Sequence, residues 1–100
     1  MRTTELQFEW SNLKSASNER KHDGISFREA QTVFADDLAR LIPDPDHSYG
    51  EERFIILGMS ARSRLLIVCH CQRRRNTIRI ISARKADSHE RKQYEEFTHA

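Results

Sequence analysis

The sequence predicts an α+β domain in which a sheet of about four mainly antiparallel strands carries its helices mostly on one face. Three observations lead there. Leu6, Phe8 and Trp10 alternate with polar residues at period two, and Phe27, Ala30, Val33 and Phe34 recur at helical spacing. Three apolar runs, at 53–59, 64–71 and 77–83, are separated by connections too short for crossover helices, which makes them an antiparallel meander. The resulting order is strand, helix, helix, three strands, helix. The 100 residues are read as one domain, 1–100, because a second core would leave neither half enough apolar mass.

Each element has its own local reason. The first strand is the alternating segment 6–10. Ser11 can cap a helix that runs to about Lys21, and Gly24 stops it because glycine enters the left-handed region cheaply. Ser26 followed by Glu29 is a capping box for a second, more amphipathic helix from Phe27 to about Phe34. Residues 36–50 hold four aspartates, both prolines and Ser48-Tyr49-Gly50, and so read as mostly loop, with a helical extension allowed through Leu38 to Leu41. After the meander, Asp87 and Glu90 form another capping box ahead of a helix to about Phe97, whose Tyr94 and Phe97 can dock on the sheet.

Charge is distributed unevenly. The formal net charge is +2, but residues 62–92 hold ten Lys or Arg against Asp87 and Glu90, whereas residues 1–61 carry more acids than bases. A strongly basic second half suggests an anionic partner, nucleic acid being the commonest. The apolar runs are far shorter than a membrane span, and the amino-terminal residues show no secretory pattern, so a cytoplasmic protein with no membrane partner is expected. Cys69 and Cys71 share one face of a strand, which suits a reducing compartment. The Cys69-His70-Cys71 segment offers too few ligands for structural zinc, and the aspartates of the acidic loop lack calcium-loop spacing; no metal and no cofactor is expected.

Several blocks together resemble the BrnT family. Phe8-Glu9-Trp10, Lys14, Asn18, Lys21-His22, Ser26-Phe27, Glu29-Ala30 and Val33-Phe34 are similar to its opening signature. His47-Ser48, Glu51-Glu52-Arg53, Gly58 and Ser60 follow, then the run Ile78 to Ala86, Glu90-Arg91 and Tyr94-Glu95. Three positions depart from the pattern: Ser11 stands where the family more often has Asp, Asp23 is inserted between His22 and Gly24, and Ser63 replaces a turn glycine. The resemblance implies a RelE-like fold and a metal-independent endoribonuclease toxin of a type II toxin–antitoxin system that inhibits translation and growth. It also implies a BrnA-like DNA-binding antitoxin as partner, RNA as substrate, and allows a dimer within the complex. A catalytically inactive RNA- or protein-binding module of the same fold is the alternative.

Metal-free RNA cleavage needs a base for the ribose 2′-hydroxyl, cationic donors for the phosphate and an acid for the leaving 5′-oxygen. Arg79 and Arg84 suit the phosphate, since a guanidinium presents a planar, permanently charged fork. They stand five residues apart, so an ideal strand puts them on opposite faces, and convergence needs a bulge near Ile80-Ile81 or a strand that ends before Arg84. Arg79 can equally pair with a carboxylate such as Glu52. Lys21 and His22 are either a helix end favoured by the macrodipole or a phosphate partner and a proton-transfer residue. Glu52 and Arg53 open a strand and supply either a base and a cation or a structural ion pair. The expected catalytic set is thus Lys21, His22, Glu52, Arg53, Arg79 and Arg84, flanked by Lys14, Asn18, Arg64 and Lys85 for RNA binding, with Asn18 also placed to orient the His22 ring.

Overall fold

A computed structural model describes residues 5–43 and 53–98. The chain forms β1 (Gln7–Glu9), α1 (Asn12–Lys21) and α2 (Phe27–Thr32), with α2 tightening into a 3₁₀ turn at Val33–Ala35. Then come β2 (Arg40–Pro43), β3 (Arg53–Met59), β4 (Leu65–Arg74), β5 (Thr77–Lys85) and α3 (Ser88–Thr98). The strands build one sheet in the order β1-β5-β4-β3-β2.

The sheet therefore has five strands and is mixed, where four mainly antiparallel ones were expected. β1 lies parallel to β5, with Phe8 opposite Ile78 and Glu9 opposite Arg79. Alternation marks β1 as a strand but says nothing of a partner some 70 residues away. The extra strand is β2, antiparallel to β3, and it replaces the helical extension allowed at Leu38 to Leu41. Asp36 ends the helical course: its carboxylate accepts the backbone N–H of Leu38 at 2.9 Å and turns the chain out. Pro43, which has no N–H to donate, is tolerated at the end of an edge strand.

Capping behaves as the sequence suggests, with one exception. Ser11 accepts from the N–H of Lys14, and Asp87 and Glu90 exchange both bonds of a reciprocal box, each near 2.9 Å. Ser26 accepts from the N–H of Glu29, but the Glu29 carboxylate does not return to it. It turns instead to Ser60 and Arg64 at the β3–β4 turn.

One face of the sheet is covered by α1 and α2. Ile25, Phe27, Ala30 and Val33 pack there on Ile56, Leu66, Val68, Ile80 and Ala83. Gly58 permits the approach, because a Cβ on it would stand 2.9 Å from both Ala39 Cβ and Val33 Cγ1. His70 points to this face and is buried, with its ring centroid 4.8 Å from that of Phe34 and 6.2 Å from that of Phe54.

The opposite face is covered by α3 over one end. Tyr94 joins Leu57, Leu65 and Ile67, and its hydroxyl donates to Asp36 at 2.7 Å, while Phe97 stays half exposed under the Arg40 guanidinium. Burial and the neighbouring Asp36 push the Tyr94 hydroxyl up to about 12, so it remains a donor throughout the physiological range. The other end of that face carries no helix among the described residues. None of the helices is long and apolar enough to cross a membrane.

Candidate active site

The register of β4 and β5 shifts by one residue: Cys69 pairs with Ser82 but His70 pairs with Ile80, so Ile81 is an extra residue. This is the bulge the parity argument requires. From Ala83, opposite Val68 on the α1–α2 face, alternation puts Arg84 on the other face; across the bulge, Arg79 arrives on that same face. Arg79 stands opposite Cys71, which stands opposite Arg53. One row of that face therefore reads Arg53, Cys71, Arg79 and Glu9 across four adjacent strands, with Cys71 buried and the Arg79 and Glu9 side chains about a third exposed.

A second irregularity lies between Gln72 and Arg74 and makes Arg73 the extra residue on β4. It turns the end of the strand toward Glu9. The Glu9 carboxylate lies 3.3 Å from Arg79, 3.6 Å from Arg73 and 3.9 Å from Arg74. Among the described residues, then, Arg79 does have a carboxylate partner, and it is Glu9.

Beyond Arg79 the edge of β5 loses β1 and gains α1. The Asn18 side chain accepts from the Ala83 N–H at 3.1 Å and donates to the Ala83 carbonyl at 2.8 Å, standing in for a neighbouring strand. A hollow of about 190 Å³ opens there, lined by Lys14, Ser17, Asn18, Lys21 and His22 of the α1 segment and by Ile81 and Ser82 of the bulge. His22 follows the last turn of α1 and donates its backbone N–H to Asn18. Ser82 lies three residues from Arg79, at most about 10 Å along a strand. The Glu9 cluster and the Lys14–Lys21–His22 hollow are therefore successive parts of one strip along β5.

Four expected site residues are placed elsewhere or otherwise engaged. Arg84 shares the open face but grips Glu90 of α3 in a two-pronged pair at 2.9 and 2.8 Å. That pair raises the Arg84 guanidinium and holds the Glu90 carboxyl below its usual range. Arg64 is bound to Glu29 through two nitrogens and to the Asp23 carbonyl, at the far end of β4 from the strip. Asn18 is buried, and its amide also donates to the Ile25 carbonyl at 2.9 Å, so both amide hydrogens are spent on tying elements together. Lys85 pairs with Leu66 and so projects on the side of α1 and α2, opposite Arg84. Glu51, Glu52 and His47 lie outside the described residues.

Lys14, Lys21 and His22 thus line the hollow, while Arg79 stands beside Glu9 with Arg53 in the same row. Sequence reasoning missed Glu9, Ser82, Arg73 and Arg74. Alternation with Phe8 already aims Glu9 away from the core, but only the parallel register sets it beside Arg79. Among the described residues no three His, Cys, Asp or Glu side chains converge as metal ligands. A wider, shallow hollow of about 790 Å³ beside Leu6, Phe8, Phe34 and Met59 has Glu5 and Asp36 as its charged residues, and Asp36 is engaged by Leu38, Met59 and Tyr94. It is larger, but among the described residues no cation lines it for a phosphodiester.

Compared with known proteins, the chain matches over residues 10–90 the model of the ribonuclease toxin BrnT of type II toxin–antitoxin systems. Among solved structures, the 1.1 Å crystal structure of the Brucella abortus ribonuclease toxin BrnT is similar, with a TM-score of 0.64 and 18% identity over 83% of this chain and 99% of that one. No curated protein matches the sequence. At that identity the structural likeness speaks for the fold, an α+β arrangement, while the family match spans most of the chain and includes α1, both bulges and Arg79. This chain belongs to the BrnT family of ribonuclease toxins of type II toxin–antitoxin systems.

Proposed function

We propose that the chain is a RelE-like endoribonuclease that cleaves RNA without a metal ion on the strip along β5. The observation that carries this reading is that Arg79 of β5 is followed, two residues on at the Ile81 bulge, by a hollow lined by Lys14, Lys21 and His22. Arg79 supplies the fork for the scissile phosphate and Lys21 a second cation for the charge that develops on it. His22 supplies the proton for the leaving 5′-oxygen, a role suited to imidazole chemistry near neutral pH. A cluster of cations repels a divalent metal, which supports charge stabilisation by side chains.

In the same reading the protein acts in the cytoplasm, inhibits translation and growth, and is neutralised by a BrnA-like DNA-binding antitoxin, with a dimer formed inside the complex. An acidic segment of that partner would cover Arg53, Arg73, Arg74 and Arg79 by charge complementarity. The test is incubation of purified protein with end-labelled RNA in EDTA. Cleavage that disappears in Arg79→Ala and His22→Ala supports the enzyme. Retention of RNA with no product supports a binding module instead.

A further inference from the structure

We infer that Glu9 is the general base of the reaction, taking the proton of the ribose 2′-hydroxyl at the end of the strip opposite His22. The inference rests on the ribonuclease reading above and adds the group that reading leaves unassigned among the described residues.

Three observations point to Glu9. First, its carboxylate is crowded by cations without being closed off: the contacts to Arg79, Arg73 and Arg74 run from 3.3 to 3.9 Å, longer than the ~2.7–2.9 Å of a tight charge-assisted bond. The two-pronged Arg84–Glu90 pair, at 2.9 and 2.8 Å, shows what closure looks like in this protein. Second, the carboxylate is about a third exposed, at the end of the sheet face away from Tyr94 of α3. Third, the parallel register fixes it beside the Arg79 guanidinium, and the hollow with Lys21 and His22 begins within three residues along β5.

A phosphate held on Arg79 thus lies beside the Glu9 carboxylate, and the hollow lined by Lys21 and His22 opens two residues further along β5. The 2′-oxygen loses its proton to Glu9 and bonds to phosphorus. The bond from phosphorus to the 5′-oxygen breaks, and that oxygen takes a proton from His22. The products are a 2′,3′-cyclic phosphate and a free 5′-hydroxyl, and no other reactant enters. The guanidinia around Glu9 meet the charge that develops on the non-bridging oxygens.

The test compares wild type, Glu9→Gln, Glu9→Asp, Glu9→Ala and Glu52→Gln in cleavage of a short RNA from pH 4.5 to 8.5, with thermal unfolding as the control for folding. The wild type should cleave, with a rate that falls toward acid as a carboxylate base takes up its proton. Glu9→Gln should lower kcat by about 10²–10⁴-fold with little change in KM, and should lose the acidic limb. Glu9→Asp should slow the reaction but keep that limb, and formate should restore turnover to Glu9→Ala. An ion-pair role alone would move the unfolding temperature and leave the pH profile intact. Glu9→Gln with the wild-type profile, or loss of the acidic limb in Glu52→Gln instead, overturns the assignment while leaving the ribonuclease reading standing. Wild-type protein that binds RNA and makes no product overturns both.

Discussion

β4 has an ion cluster at each end, and the two are built in opposite ways. At its start, Arg64 holds the buried Glu29 through two nitrogens, Ser60 donates a further bond to the same carboxylate, and the whole joins α2 to the β3–β4 turn. At its end, three arginines surround Glu9 at longer range on an open face. The bonds at the start hold the Glu29 carboxyl below its usual range, chiefly through Arg64, and raise the Arg64 guanidinium in turn. A closed pair with its bonds satisfied stabilises the fold and offers nothing to a ligand. A cluster held by longer contacts ties the fold less tightly, so sequence position and charge alone do not tell one kind of arginine from the other.

Four experiments sharpen that contrast, and the largest effect is expected at the open end. Arg79→Ala should lower RNA cleavage by about 10²–10³-fold, or about 3–4 kcal/mol of transition-state stabilisation, while the unfolding midpoint moves little. Arg64→Ala should do the opposite. Removing one partner of a buried pair costs about 3 kcal/mol, seen in urea unfolding, with turnover of the folded fraction unchanged at low temperature. If Arg64→Ala abolishes cleavage and leaves stability intact, the division between the two ends is wrong.

Acid provides the third comparison. Burial holds the His70 imidazole below its usual value, with the Val68 carbonyl opposing weakly, so the folded state favours the neutral ring. Stability from this group is complete above the unfolded value near 6.5 and falls as pH drops below it, by about 1.4 kcal/mol per unit of pH until the native ring protonates. Glu29 adds a second loss lower down: its contribution is complete above about 4.5 and disappears as pH falls through its depressed native value. Urea midpoints between pH 7.5 and 4 should show both steps, and His70→Leu should remove the first. The smallest effect is a gain. Ser63 holds a φ of 61° in the β3–β4 turn, so Ser63→Gly should stabilise the protein by about 1 kcal/mol in the same assay.

Much of the fold was legible because it follows local rules. The Ser11 cap, the stop at Gly24, the limits of β3 and the Asp87–Glu90 box are each set by residues within a few positions of one another. β2 was not legible, because Asp36 redirects the chain through a side-chain bond in a segment dominated by loop formers. The parallel β1–β5 pairing was not legible either, since alternation defines a strand and not its neighbour. The site divides along the same line. Strand parity told that Arg79 and Arg84 need a bulge to share a face, and Ile81 is that bulge. Which carboxylate claims each arginine is a long-range matter: Glu9 for Arg79, Glu90 for Arg84 and Glu29 for Arg64 come from three different elements. The structural bonds of Asn18 were not legible because an amide on a polar helix looks solvent-facing until the strand edge it completes is known.

Ile81 gives the domain an unusual vulnerability. Removing that single codon in frame would take away no charge, yet it would restore strict alternation to β5. With the strand anchored through Ala83, the guanidinium at 79 would be driven toward the aromatic packing around Phe8, and an apolar side chain would take its place in the open. The number of residues in β5 therefore matters as much as their identities.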